Sequence, residues 1–286
     1  MGTSAGTPGT WVWFITGTSQ GFGRELVRAA LKRGDSVVAT SRTPDKVAAD
    51  FPDASDRLLT IPLDLRDESN IASGVASAIK RFGRIDVLVN NAGHGLLGAV
   101  EEASIPEVKN VFETNVFGLL RVTHAVLPHF RERRSGHIVN ISSIGGLMAS
   151  PGWGIYNSTK FAVEGLSESL AQELKPLGIR VTIVEPGPFR TDFLGGALHV
   201  TERRLPDYDE TVGKTRVWRD ETHGAQIGDP ARGSNVIIEA ITSKNPPLRL
   251  LLGVNAYDRA MNKLNASRAE FEAWRELTCS TDYRVD

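Results

Sequence analysis

Tyr156 and Lys160 stand four residues apart in a segment, 155–175, whose apolar residues recur at helical spacing. Residues four apart on a helix share a face, so the phenol and the ammonium would project together. An ammonium beside a phenol stabilises the phenolate and lowers a pKa that starts at about 10. A tyrosine tuned in this way can act as general acid or base nearer neutral pH. By itself the pair also fits two surface residues of an amphipathic helix, so its weight comes from the rest of the chain.

A second candidate is the turn Thr16-Gly17-Thr18-Ser19-Gln20-Gly21-Phe22-Gly23, between the apolar run 11–15 and the helical pattern 24–32. One glycine permits a tight turn, another lets a backbone approach a pyrophosphate, and a third allows close helix–strand packing. N–H groups at the helix start would then meet phosphate oxygens with the helix dipole behind them. Gly17, Ser19, Gln20, Gly21, Phe22 and Gly23 are therefore the candidate dinucleotide cradle. The competing reading is a glycine turn without a ligand.

The elements that must position these groups alternate along the chain. Apolar, β-branched runs at 11–15, 36–39, 58–61, 85–89, 137–141, 179–184 and 248–252 read as strands covered on both faces. Helical patterns at 24–32, 68–81, 108–131, 155–175 and 231–242 separate them. About seven alternations predict a single α/β domain, 11–286, built on a doubly wound parallel sheet with a Rossmann fold. Residues 1–10 read as a loose tail rather than a secretory signal. The stretch 195–229 is rich in charge and turn formers yet carries Leu198, Leu205, Tyr208 and Trp218, and reads as a substrate lid. A disordered surface insertion is the alternative. Residues 254–286 form a C-terminal extension, with a helix expected over 256–277.

Composition narrows the function classes. Of 286 residues 41% are hydrophobic and 23% charged, and the formal net charge of -1 offers no basic excess for nucleic acid. The cluster Arg131-Glu132-Arg133-Arg134 reads as a solvated helix end. Cys279 is the only cysteine, so neither an intrachain disulfide nor a cysteine metal framework is expected. The six histidines (His94, His124, His129, His137, His199 and His223) lack a ligand spacing such as H-E-x-x-H, and no metal is expected. No run approaches the roughly 18 apolar residues of a membrane span, and a soluble cytoplasmic protein is expected.

The spacing T-G-x-x-x-G-x-G at Thr16–Gly23 resembles that of the short-chain dehydrogenase/reductase family. The likeness extends, in order, through Asp64, Asn90-Asn91-Ala92-Gly93, Asn115, Ser143, Tyr156-Asn157-Ser158-Thr159-Lys160 and Pro186-Gly187-Pro188-Phe189-Arg190-Thr191. It is dense over residues 11–195 and looser beyond. The resemblance implies a nicotinamide-dependent oxidoreductase with a catalytic tetrad of Asn115, Ser143, Tyr156 and Lys160. Tyr156 would pass a proton to or from the substrate oxygen. Lys160 would lower the pKa of Tyr156 and bond the nicotinamide ribose. Ser143 would hold the substrate oxygen, with Ser142 the competing hydroxyl. Asn115 would help hold a water of the proton relay. Asp64 and Leu65 would contact the adenine, and Asn91, Ala92 and Gly93 would line the adenosine side. Pro186, Gly187, Phe189 and Thr191 would lie along the nicotinamide, with Thr191 fixing its carboxamide.

By the same analogy Ser41 occupies the place where a carboxylate would select NAD(H), and Arg42 follows it. A hydroxyl and a guanidinium suit a phosphate monoester, so NADP(H) is favoured, the alternative being that Arg42 points to solvent. The expected substrate wall is Gly145–Ala149, Pro151–Trp153 and Ile155, with Phe189, Phe193 and Leu194 beneath the lid; His94 is a further substrate contact. This apolar wall favours a hydrophobic ketone, aldehyde or secondary alcohol, and parts of it look similar to hydroxysteroid and retinol dehydrogenases. A non-catalytic NADP(H) sensor is the alternative; such a protein tends to lose the Tyr or the Lys. The helices bearing Asn115 and Tyr156 commonly pair between subunits in the family, which implies a homodimer or homotetramer.

Overall fold

A computed structural model describes residues 10–54 and 56–283. The tail reading for 1–10 therefore lies, except for Thr10, outside the described residues. Seven parallel strands form the central sheet: β1 (Val12–Thr16), β2 (Ser36–Ser41), β3 (Leu58–Pro62), β4 (Val87–Asn90), β6 (Gly136–Ile141), β7 (Ile179–Pro186) and β9 (Arg249–Leu252). Their order is β3-β2-β1-β4-β6-β7-β9. The order reverses between β1 and β4, and the crevice beyond the carboxyl ends of such a pair is where a doubly wound sheet receives ligands. Both the glycine turn after β1 and Asn91–Gly93 after β4 open into that crevice.

Helices cover both faces, which is why the strands read as unbroken apolar runs. On one face α1 (Gly21–Arg33) and α8 (Pro230–Thr242) pack Leu26, Val27, Ile237 and Ile241 onto Trp13, Ile15, Val139 and Val184. On the other, α3 (Glu68–Phe82), α5 (Leu119–Arg133) and α6 (Gly154–Leu174) set Ile71, Val122, Phe130 and Leu174 against Phe14, Leu88 and Ile138. Helix ends follow from local chemistry. Asp67 accepts the Asn70 N–H at 3.0 Å to start α3, and left-handed Gly83 (φ 76°) ends it. Asp229 accepts from the N–H groups of Ala231 and Arg232, with Pro230 at the first turn of α8.

Three segments differ from the sequence expectation. The helix expected over 108–131 is α4 (Ile105–Phe112), a π turn at Glu113–Gly118, and then α5. The extra residue in that turn re-aims the chain where Asn115 sits, as π turns do. The stretch 195–229 is folded: β8 (Leu198–Val200) pairs in parallel with β5 (Gly95–Leu97), and α7 (Lys214–Thr222) follows. It is anchored by Arg216, whose Nη2 lies 2.5 Å from the fully buried carboxylate of Glu102. The C-terminal helix is broken into α9 (Val254–Ala273) and α10 (Arg275–Cys279). It packs through its small residues, Ala256 and Ala260, against Ile144, and leaves Tyr257, Leu264, Phe271 and Trp274 exposed. A short helix, α2 (Pro44–Asp50), carried no signal strong enough to be expected. Finally, Arg133 is not a free solvated end, because it donates to the Ile85 carbonyl and to Asp86 at 3.0 Å.

Candidate active site

The β1–α1 turn is shaped by its glycines. Gly17 (φ 70°) and Gly21 (φ 56°) adopt the left-handed conformation that side chains disfavour. A Cβ at Gly17 would lie 2.7 Å from the Cα of Ala92, and one at Gly23 would collide with the Gly17 carbonyl oxygen. Thr16 ties the turn to the β4 end: its hydroxyl accepts from the N–H groups of Asn91 (3.0 Å) and Ala92 (3.1 Å) and donates to Val89 O. Asn91 returns the favour of position by donating its amide to the carbonyls of Thr16 and Gly17, each at 2.9 Å. No side chain caps the start of α1, so its N–H groups remain directed at the crevice.

The crevice opens into a cavity of about 890 Å³ running from Ser41 and Arg42 at one end to Trp153, Phe193 and Trp218 at the other. Of the residues singled out in the sequence, Gly17, Ser19, Gln20, Gly21, Phe22, Ser41, Arg42, Asp64, Leu65, Asn91, Ala92, Gly93, His94, Ser143, Gly145, Trp153, Tyr156, Lys160, Pro186, Gly187, Phe189 and Thr191 all line it. Gly23 and Asn115 stand behind the wall. Of the expected substrate wall, Met148, Phe193 and Leu194 are also present, whereas Gly146, Leu147, Ala149, Pro151, Gly152 and Ile155 are not.

Asn115 is buried, and its amide is fully engaged. Its Oδ1 accepts the His94 N–H at 3.0 Å, and its Nδ2 donates to His94 O at 2.9 Å and to Thr159 Oγ1 at 3.1 Å. The side chain thus clamps the His94 peptide. Gly93 leaves room for the clamp, since a Cβ there would lie 3.0 Å from Asn115 Oδ1 and 3.8 Å from Lys160 Nζ.

Tyr156 is buried between Trp153 (ring centroids 5.8 Å apart) and Phe193 (5.2 Å). Burial pushes its phenol above the ordinary tyrosine range, with the Ser143 hydroxyl opposing the shift. This reverses the expected direction. The Lys160 Nζ donates to Ile141 O at 2.8 Å and sits 5.8 Å from the Tyr156 ring centroid. Burial in turn brings the lysine down to about 8, against the pull of the Glu164 carboxylate. The protein alone therefore holds Tyr156 as a protonated acid, a form suited to donating a proton. Between the two candidate hydroxyls, Ser143 faces Tyr156 and accepts the Gly145 N–H at 3.0 Å. The Ser142 hydroxyl is buried without a partner, close to where a Gly146 Cβ would be.

At the far end Ser41 accepts the Thr43 N–H at 3.1 Å, and Arg42 is exposed. Arg66, which sequence reasoning missed, grips Asp64 with two bonds of 3.0 and 2.9 Å and lowers that carboxyl to about 2. Among the described residues, this cavity end therefore carries one free guanidinium, Arg42, beside a neutralised carboxylate. Trp218 of the expected lid also lines the cavity, whereas His199, Gln226, Asn255 and Arg259 were missed. His199 stands edge-on to His94 with centroids 4.9 Å apart, and burial holds His94 below the ordinary histidine range. Only long-range folding of 195–229 and α9 brings these residues in, so no local motif could have flagged them.

The profile of the short chain dehydrogenase family matches residues 12–199. The chain belongs to this family. Oxidoreductase BOA17 of Botryotinia fuckeliana is 38% identical over 95% of this chain and 99% of its own length. Human retinol dehydrogenase 8 is 40% identical, covering 82% of this chain and 79% of its own. The crystal structure of a short-chain dehydrogenase from Streptomyces avermitilis superposes with a TM-score of 0.90 at 43% identity, covering 96% of this chain and all of that one. The protein is an oxidoreductase of the CH–OH/C=O class.

Proposed function

We propose that the protein is an NADP(H)-dependent oxidoreductase that interconverts a hydrophobic ketone or aldehyde and the corresponding alcohol. The observation that carries this reading is the buried Tyr156 facing Ser143 in an aromatic cavity continuous with the glycine cradle. The cradle fits a dinucleotide: Gly17 and Gly23 let the turn close against Ala92 and its own backbone where a Cβ would collide, and among the described residues no side chain caps the α1 N–H groups. Arg42 with Ser41 fits a 2′-phosphate by charge and hydrogen bonding. When bound, the nicotinamide supplies or takes the hydride.

The chain's own residues do the rest. Ser143 orients the substrate oxygen, and Tyr156 delivers its phenolic proton to that oxygen during reduction. Lys160, a cation below about pH 8, favours the phenolate left behind. Asn115 fixes the His94 peptide beside them, as a positioning residue. Trp153, Phe193, Leu194 and Met148 enclose the substrate body and exclude water. The name and 40% identity of retinol dehydrogenase 8 support an apolar alcohol or carbonyl. The segment 195–229 supplies His199 and Trp218 to the wall and acts as the lid.

The test is NADPH oxidation against a panel of apolar ketones, with Tyr156→Phe as the comparison. The variant should lose at least about 100-fold in kcat while binding NADPH with unchanged affinity. Turnover by Tyr156→Phe at the wild-type rate would remove Tyr156 as the acid. NADPH binding without turnover of any ketone would remove the enzymatic reading.

A further inference from the structure

The apolar cavity contains one feature that a purely hydrophobic substrate would not use. Arg259, on the second turn of α9, lines it and is half-buried. Its Nη2 donates to Ser150 Oγ at 2.8 Å, and among the described residues no carboxylate lies within 4.0 Å of it. The two carboxylates that line the same cavity are engaged elsewhere. Asp64 is held by Arg66, and Asp192 accepts the Gly196 N–H at 3.0 Å and the Gln20 amide at 3.4 Å. Burial lowers the guanidinium below its ordinary range without making it neutral at any ordinary pH. A half-buried cation with a single hydroxyl partner is costly unless something anionic completes it.

Two further groups on the same cavity are incomplete. Asn255 precedes Arg259 by one helical turn, on the same side of α9, and its Oδ1 is buried without a partner. Gln226 is 3% exposed, and both its amide nitrogen and its amide oxygen lack partners. Buried polar atoms are ordinarily satisfied, so orphans that face a cavity mark the place of a ligand's polar group. An amide can turn its nitrogen toward an anion, so Asn255 can serve as a donor beside the guanidinium and Gln226 as a further donor on the same cavity wall.

We propose that Arg259, with Ser150, Asn255 and Gln226, forms a subsite for an anionic group at the far end of the substrate. The substrate is then an amphipathic oxo acid or hydroxy acid. Its carbonyl or carbinol meets Tyr156, its apolar body lies among Trp153, Phe193 and Met148, and a carboxylate meets Arg259. The proposal rests on the oxidoreductase reading and narrows its substrate class. The C-terminal extension thereby becomes a specificity element rather than an appendage.

Benzoylalkanoates of increasing chain length, each compared with its primary amide, test this on the full-length protein with NADPH. At the best length the carboxylate should exceed the amide in kcat/KM by roughly 10- to 100-fold, the range of a charge-assisted hydrogen bond. Arg259→Gln should abolish the ratio, and Arg259→Lys should retain part of it. Thermal shift with phenylalkanoates and their amides, which carry no carbonyl, reads the subsite without turnover. Tighter binding of the acids with no ketone reduced would leave the subsite standing and remove the oxidoreductase reading. Ketone reduction with no carboxylate preference at any length would do the reverse. A tenfold loss of NADPH affinity in Arg259→Gln with the carboxylate preference intact would assign the residue to the cofactor and overturn the proposal.

Discussion

Ser41 and Arg42 close β2 at the point where a bound dinucleotide would place its adenosine ribose, and the surroundings sharpen what they can do. The Ser41 hydroxyl accepts the Thr43 N–H, which fixes its oxygen at the cavity wall. Asp64 would repel a phosphate were it free, but Arg66 binds it through both oxygens and holds it near a pKa of about 2 as half of an ion pair. The local field is thus left to Arg42. Ser41→Asp introduces a carboxylate where a 2′-phosphate would lie, so NADPH efficiency should fall by roughly 10- to 100-fold while NADH efficiency holds or rises. Steady-state kinetics with both cofactors decide the matter, and equal effects on the two would remove Ser41 from the 2′ position. At this scale the sequence was informative about residue types and uninformative about charge. Arg42 was legible from its place after Ser41, but the neutralisation of Asp64 depends on a side chain two residues on whose direction no spacing encodes. The same limit explains Tyr156. Sequence proximity to Lys160 implied a lowered pKa, whereas burial dominates and raises it.

Among the elements, β6 and β7 show how the sheet that carries Ser143 is held together. His137 on β6 is 3% exposed, and its Nε2 meets Thr182 Oγ1 on β7 at 3.0 Å. Thr182 spends its own proton on Pro247 O at 2.6 Å, so the imidazole must be the donor, with its proton on Nε2. The other ring nitrogen is buried without a partner, and burial drives the pKa from 6.5 to about 3. A histidine kept neutral in the fold binds fewer protons than the unfolded chain wherever pH lies between those values. Stability is therefore full above 6.5 and is lost as pH falls toward 3, at about 1.4 kcal/mol per pH unit from this group. Urea melts at several pH values should show a flatter acid limb for His137→Gln than for the wild type; parallel limbs would mean that His137 is not the acid-sensitive group. The strands were legible because parallel sheets covered on both faces demand long apolar runs, and boundaries fell within two residues at most ends. The π turn at Glu113–Gly118 was not, since the sequence around Asn115 carries the same helical periodicity as the turns on either side.

Across the whole molecule, what the sequence concealed is the set of contacts made at long range. Residues 195–229 read as a lid, but nothing local in them encodes that Arg216 finds Glu102 and β8 finds β5 about a hundred residues away. The central sheet needed no such knowledge, because each βαβ unit is nearly local. The same distinction governs assembly. The π turn and α6 leave Phe117 (47% exposed) and Phe161 (46%) at the surface on elements that pack against each other. Large aromatics at the centre of an interface are the residues whose loss costs most in association. Phe161 also follows Lys160 directly, so a subunit seated there would brace the helix that holds Tyr156. We expect the protein to sediment as a homodimer or homotetramer through this face, and Phe161→Glu to shift it to monomer by burying an unpaired charge. Activity should fall with dissociation and return at high protein concentration, where mass action restores the pair. Sedimentation velocity on the wild type, Phe117→Glu and Phe161→Glu is the measurement. If the wild type is monomeric, or if both variants retain its sedimentation coefficient, the assembly does not use this face.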